Sequence, residues 1–318
     1  MSHIKGFWIA FIFLVVGFFL AAPEHLDAQV TITWRDKFYD VDLVDQNNAW
    51  VVGYNGTILH TKNFGRSWEQ QNSGTRNALY SVNFSDLNNG WIVGEVGIIL
   101  HTDSGGKTWQ LQDSGTENSL FVVHFIDSNC GWAVGEWGTI LNTRNGGRSW
   151  EAQLIGEDIL FNSVYFVDSK NGWVVGEFGT ILHTKDGGQN WHKQEANIGD
   201  TSLFGVYFTD PRECWAVGID GIIIHTKDGG KIWERQDSDT ENTLFDVILT
   251  KDVGWAVGAK GTIVCSGLGE PSWNRVAHSI EVYAWLRGIS FVDSDYGLIV
   301  GGGGTILRTE DGGATWKF

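Results

Sequence analysis

Residues 172–192 read GWVVGEFGTILHTKDGGQNWH, and this stretch decides the fold. It contains a Trp-apolar-Val-Gly run, a Gly-x-x-Gly turn, a second apolar run, and an Asp-Gly-Gly turn closed by Trp191. Short runs of β-branched and aromatic residues bounded by Gly, Asp and Asn read as strands joined by hairpins. The closing segment recurs along the chain: Thr61-KNFGRS-Trp68, Thr102-DSGGKT-Trp109, Thr143-RNGGRS-Trp150, Thr184-KDGGQN-Trp191, Thr226-KDGGKI-Trp233, Ser266-GLGEPS-Trp273 and Thr309-EDGGAT-Trp316. The starts are 41, 41, 41, 42, 40 and 43 residues apart. The Trp-apolar-Val-Gly run recurs from Trp50, Trp91, Trp132, Trp173, Trp215 and Trp255, with Leu298 in the seventh copy. Each unit opens with a further apolar run, such as Leu79-YSVN-Phe84 or Leu203-FGVY-Phe208, and ends with a strand begun by the closing Trp. A period of about 40 residues with four strands per unit is a propeller blade. The expected fold is all-β, a seven-bladed β-propeller of four-stranded antiparallel blades.

The turns support this reading. Asp186, Asp228 and Asp311 can each accept a hydrogen bond from a backbone N–H two residues on, as can Asn63 and Asn145, and Ser104 more weakly. Leu268 cannot, so the sixth turn is degenerate. Only Trp316, Lys317 and Phe318 follow the last turn, whereas other blades continue for several residues. Residues 29–34, QVTITW, alternate apolar and polar. They are expected to supply the missing outer strand of the seventh blade and clasp the ring.

The first 28 residues read as an address. One Lys precedes the unbroken apolar run GFWIAFIFLVVGFFLAA, and Leu26-Asp27-Ala28 offers a small-residue cleavage site. This is the order of a secretory signal, with an uncleaved membrane anchor as the alternative. The expected organisation is a signal peptide over 1–28 and a propeller over 29–318. The protein is then exported, periplasmic or extracellular, and tethered to the membrane if the signal stays uncleaved.

The formal net charge of −16 argues against nucleic-acid binding, which requires clustered Lys and Arg. Cys130, Cys214 and Cys265 show no CxxC or CxxH spacing and read as small buried residues, not as zinc ligands or a disulfide framework. No metal or other cofactor is expected.

Thr184-KDGGQNW, Thr226-KDGGKIW and Thr309-EDGGATW resemble Asp-box, or BNR, repeats, which occur in sialidases, in some cellulose and xyloglucan hydrolases and in sorting receptors. The longer unit quoted above resembles the photosystem II stability/assembly factor family, over essentially all of residues 38–318. That resemblance implies a seven-bladed propeller of the thylakoid lumen, or of bacterial exported proteins, that holds a partner during assembly of a membrane complex and performs no chemistry. It also implies an Arg-rich basic surface, and no such cluster stands in this sequence. A photosynthetic source would make the location lumenal.

Three sets of residues are candidates for function. His60, His101, His183 and His225 share one repeat position. A third strand roughly 15 Å from the axis puts neighbouring copies ~13 Å apart, whereas zinc ligands lie at about 2.1 Å, so these read as strand-face residues. Glu95, Glu136 and Glu177 share a hairpin position in successive blades. A glycosidase needs two carboxylates about 5–10 Å apart, but a solvated acidic rim is the preferred reading. No Phe/Tyr-Arg-Ile-Pro segment or Arg clamp of a sialidase is present. The hairpins and the loops between blades should share the face opposite the Asp-box turns, where Tyr54, Trp137 and Phe178 join the glutamates. Tyr39, Tyr80, Phe121, Asn162, Phe204, Phe245 and Arg287 share one position near the start of the first strand. They read as core, or alternatively as a ring around the mouth of the axial channel.

The sequence therefore predicts a binding or assembly module with no catalytic residue. Its binding face includes Tyr54, Glu95, Glu136, Trp137, Glu177, Phe178 and Arg287. The expected partner is a protein, with carbohydrate as the alternative ligand and a glycoside-hydrolysing or carbohydrate-binding propeller as the alternative function.

Overall fold

The structure, a computed structural model, describes residues 30–33, 35–153, 155–267, 270–276 and 282–318. The expected signal segment 1–28 and Leu268 of the degenerate turn lie outside these residues. The described chain forms seven antiparallel sheets, six of four strands and one of three, with each strand hydrogen-bonded to its sequence neighbour. The inner strands are Phe38–Leu43, Leu79–Phe84, Leu120–Phe125, Phe161–Phe166, Leu203–Phe208, Leu244–Leu249 and Leu286–Phe291. They surround one axis, and their copies define seven blades.

The core lies between blades, because a single sheet cannot cover its own two faces. Trp173, Val175 and Ile181 of the fourth blade, for example, pack with Leu203, Val206, Phe208 and Trp233 of the fifth. In the first four blades the Trp of the second strand stacks on the inner-strand Phe of the next blade. Centroid distances are 3.8 Å for Trp50–Phe84, 3.6 Å for Trp91–Phe125, 3.4 Å for Trp132–Phe166 and 3.6 Å for Trp173–Phe208. The Asp-box Trp of that next blade then meets the same Phe edge-on, as Trp191 meets Phe166. On its other face the second-strand Trp stacks on a histidine, as in Trp50–His60 and Trp173–His183. The histidines are thus strand-face residues, as expected, and burial pushes His60 and His183 down to about 4.

A second inter-blade device is written in the repeat. Three residues after each Asp-box Trp stands a Gln in the first five blades: Gln71, Gln112, Gln153, Gln194 and Gln236. Gln153 accepts from Trp191 Nε1 (3.1 Å) and donates to the Gly187 carbonyl (2.9 Å) of the next blade. Gln71 and Gln112 repeat the arrangement toward the blades that follow them. This explains the second Gly of the Asp-box turn. A Cβ on Gly188 would lie 2.0 Å from Gln153 Oε1, and its φ of +87° is itself strained for other residues.

In the sixth blade Val276 takes the place of this Gln. Among the described residues the seventh blade has three strands and one further bridge of its own, where Arg308 and Lys317 exchange both backbone hydrogen bonds. The expected clasp is therefore corrected. Residues 30–33 form no ladder with the seventh sheet. Val30 donates instead to the Trp68 carbonyl of the first blade, and Val30 and Ile32 pack on a cluster that includes Trp68, Leu298, Val300 and Ile306. They act as an apolar plug at the seam between the last and first blades.

Candidate protein-binding face

Each inner strand carries a register shift against its neighbour near its start. Phe38 pairs with Gly53 and Asp40 with Val52, leaving Tyr39 unpaired. The shift recurs in all seven blades and leaves Tyr80, Phe121, Asn162, Phe204, Phe245 and Arg287 in the same situation. A bulge bends the strand and re-aims the side chain at the extra residue. It also accounts for the Gly that ends each second strand: a Cβ on Gly53 would sit 2.2 Å from the Lys37 carbonyl oxygen. All seven bulge residues line one axial cavity of about 300 Å³. They are half-buried or exposed and do not belong to the core, which corrects the core reading in favour of the channel mouth.

The collar is aromatic. Tyr39 stacks on Trp285 (5.7 Å) and meets Tyr80 edge-on (5.4 Å), while Phe204 meets Phe245 (5.5 Å). Arg287 lies over the Phe245 ring, 4.9 Å from its centroid. Among the described residues its guanidinium makes no hydrogen bond or ion pair. Enclosure by the strands lowers its pKa, opposed by Tyr39, Asp246, Tyr80 and Asp40. Asp40 and Asp246 also line the cavity. Asp40 accepts from the Val82 N–H of the second blade (2.9 Å), and Asp246 from the Ile289 N–H of the seventh (3.0 Å). Desolvation pushes Asp40 up to about 6 and Asp246 to about 7. These carboxylates went unrecognised in the sequence; their one signal is their place one residue after a bulge.

The hairpins between second and third strands surround the collar. Glu95 accepts from the Ala78 N–H (2.9 Å) and from Tyr80 Oη (3.3 Å), and Glu136 accepts from the Ser119 N–H (3.0 Å). Glu95, Glu136 and Glu177 are half-buried. The freely solvated acidic rim is therefore corrected: Glu95 and Glu136 tie each hairpin to the start of its own blade's inner strand. The residues one position further on are the exposed ones. Val96, Trp137 and Phe178 are 57%, 67% and 62% exposed, and Tyr54 56%. Val96, Trp137 and Phe178 have φ of +56°, +54° and +54°. Left-handed backbone is uncommon for non-Gly residues and an outlier for a β-branched one. Val96 was missed in the sequence, although it stands 41 residues before Trp137, as Trp137 does before Phe178. The face thus brings together all seven predicted site residues in two tiers, Arg287 in the channel and the other six on the hairpins around it. The three cysteines are free. Among the described residues no group of three His, Cys, Asp or Glu could hold a metal, and no helix is long and apolar enough to cross a membrane.

This architecture defines a class, the Asp-box propeller with an aromatic channel mouth ringed by hairpin tips. The sequence profile of the family described as "Photosynthesis system II assembly factor YCF48" matches residues 23–114, 107–198 and 195–282. The chain belongs to that family. No curated protein sequence matches it. Among solved structures, "YCF48 bound to D1 peptide" is 23% identical with a TM-score of 0.73, covering 91% of this chain and 96% of that one. YCF48 from Cyanidioschyzon merolae is also 23% identical at a TM-score of 0.73, with 89% and 98% covered. A GH74 xyloglucanase from Xanthomonas campestris reaches a TM-score of 0.73 at 12% identity, with 92% of this chain but 55% of that one covered. At these identities the structures show the shared fold.

Proposed function

We propose that this protein is an exported, non-catalytic assembly factor that holds a polypeptide segment of a membrane-complex subunit on its hairpin-tip face. The observation that carries the reading is the row of Val96, Trp137 and Phe178, three large apolar side chains held out to solvent on successive blades by left-handed backbone. Strained conformations persist where the surrounding structure enforces them and cluster at functional sites. Exposed aromatics within a polar rim are typical anchors of protein interfaces. Membership of a family of assembly factors, one of whose structures is described as bound to a peptide, supports the same reading. A glycosidase would need free facing carboxylates, whereas Glu95 and Glu136 are engaged by backbone N–H groups. The apolar run before residue 29 supports export.

Site-specific photocrosslinking tests the proposal. A crosslinker at position 137 should trap a discrete partner polypeptide, and one at position 232, exposed on an Asp-box turn of the opposite face, should not. Equal labelling from both positions, or none from 137, overturns it.

A further inference from the structure

Six of the seven bulge positions around the axis carry an aromatic ring or Asn; the seventh carries Arg287. A guanidinium has five N–H donors in a planar fork that matches a carboxylate. Here that fork is exposed to the cavity, lies over the Phe245 ring, and has no acceptor among the described residues. The cavity opens beside Arg287 into a mostly apolar lobe of about 470 Å³, lined by Tyr39, Phe245, Ala259, Lys260, Tyr283 and Trp285. One unpartnered fork next to an apolar, aromatic lobe defines the shape of a ligand with a charged head and an apolar body.

We propose that the axial cavity and its lobe bind an aromatic or aliphatic carboxylate, its head held by the Arg287 fork and its body against Tyr39, Phe245 and Trp285. The site stands whether or not the hairpin tips hold a protein. Its occupancy depends on pH through the groups that face it. The first inner strand contributes Asp40 and Tyr39, the second Tyr80, and the sixth Asp246; the third, fourth and fifth contribute Phe121, Asn162 and Phe204, which do not titrate. Glu95 lies behind Tyr80, and Lys260 stands at the lobe. With Asp40 and Asp246 protonated, Arg287 is uncompensated and attracts an anion. Once both ionise, near pH 6 and 7, they compete for the guanidinium and repel the ligand.

The probe is benzoate, titrated calorimetrically into the mature protein. It should bind at about pH 5 and at least about tenfold more weakly at about pH 8, although benzoate is ionised at both. Benzamide and benzylamine should not bind at about pH 5. Arg287→Gln should abolish binding, Arg287→Lys should weaken it by keeping charge without the fork, and Asp246→Asn should raise the affinity at about pH 8. The parent protein alone already carries the test through its pH dependence and its preference for benzoate over benzamide, should a variant fail to fold. An N-acetylated, C-amidated peptide with one Glu between two Phe residues separates the sources. If it displaces benzoate, the head belongs to a polypeptide side chain; if it does not, the ligand is a small free carboxylate. No heat with benzoate at about pH 5, equal affinity for benzamide, or a folded Arg287→Gln protein that binds as the parent does would overturn the proposal.

Discussion

Gln153→Leu tests the inter-blade device most directly. The side chain accepts from Trp191 Nε1 at 3.1 Å and donates to the Gly187 carbonyl at 2.9 Å. Leucine nearly conserves the volume, so no cavity cost is expected and the hydrogen bonds decide the effect. Gly187 keeps a second donor, Trp132 Nε1, at 3.4 Å, whereas the indole N–H of Trp191 loses its only partner among the described residues. Each bond contributes about 1 kcal/mol net, and an orphaned donor costs somewhat more, so the loss is about 2 kcal/mol. For a chain of this size that is a fall in Tm of roughly 3 °C, read by differential scanning calorimetry. Gly188→Ala should cost more, because its Cβ meets Gln153 Oε1 at 2.0 Å and its φ is +87°. In a double-mutant cycle, part of the Gly188→Ala cost should vanish when residue 153 is already Ala, leaving the backbone strain. A Gln153→Leu protein that melts within about 1 °C of the parent would refute the argument, since it would mean the blades are held by apolar packing alone.

Deleting residues 29–33 from a protein that begins at residue 29 should lower Tm, because Val30 and Ile32 leave the seam beside Trp68 and the Val30 N–H loses the Trp68 carbonyl; an unchanged melting curve would show that the seam closes without them. Trp137→Ala should weaken partner capture by about 2 kcal/mol at every salt concentration, measured by surface plasmon resonance, while Tm changes little. Changing Glu95, Glu136 and Glu177 together to Gln keeps acceptors for Ala78 and Ser119, so the fold should persist and capture should lose mainly its salt dependence. Thermal stability should also depend on pH. Burial raises Asp40, Asp42 and Asp246 to about 6, 7 and 7, so between the unfolded value of about 4 and these values the folded protein binds more protons than the unfolded chain. Their contribution is complete below the unfolded pKa and lost as pH rises through 6 to 7. Asp45, Asp86 and Asp168, lowered by backbone and Asn hydrogen bonds that outweigh desolvation, act in the opposite sense, and their contribution is lost as pH falls below the unfolded value. Tm should therefore peak in mildly acidic solution, and Asp42→Asn should flatten the alkaline limb; a Tm that climbs steadily to about pH 8 would contradict this assignment.

The sequence by itself determined the blade count, the four strands per blade and the face on which the hairpins meet, because a repeat of about 41 residues imposes the same local solution each time and neighbouring blades complete it. The Asp-box turns are corrected in detail: the side chains of Asn63, Asn145, Asp186 and Asp311 accept from the backbone N–H four residues on, not two. It also singled out Trp137 and Phe178 as exposed aromatics and Arg287 as the departure from an aromatic position. Only the tertiary structure decided what depends on contacts between copies or on a break in strand alternation. Period-two reading would place Tyr39 and its equivalents by alternation alone, but the bulge turns them toward the axis, and no residue type announces that shift. Asp40 and Asp246 look like ordinary strand carboxylates until ring closure sets them facing Arg287. Glu95 and Glu136 look like rim charges until the chain entering their own blade's inner strand presents the Ala78 and Ser119 N–H groups. The seam between the last and first blades joins residues at opposite ends of the chain, so the local pattern QVTITW could indicate a strand but not where it would lie. Residues 30–33 settle beside Trp68 because the seam offers an apolar surface to cover, and that surface exists only once the ring has closed.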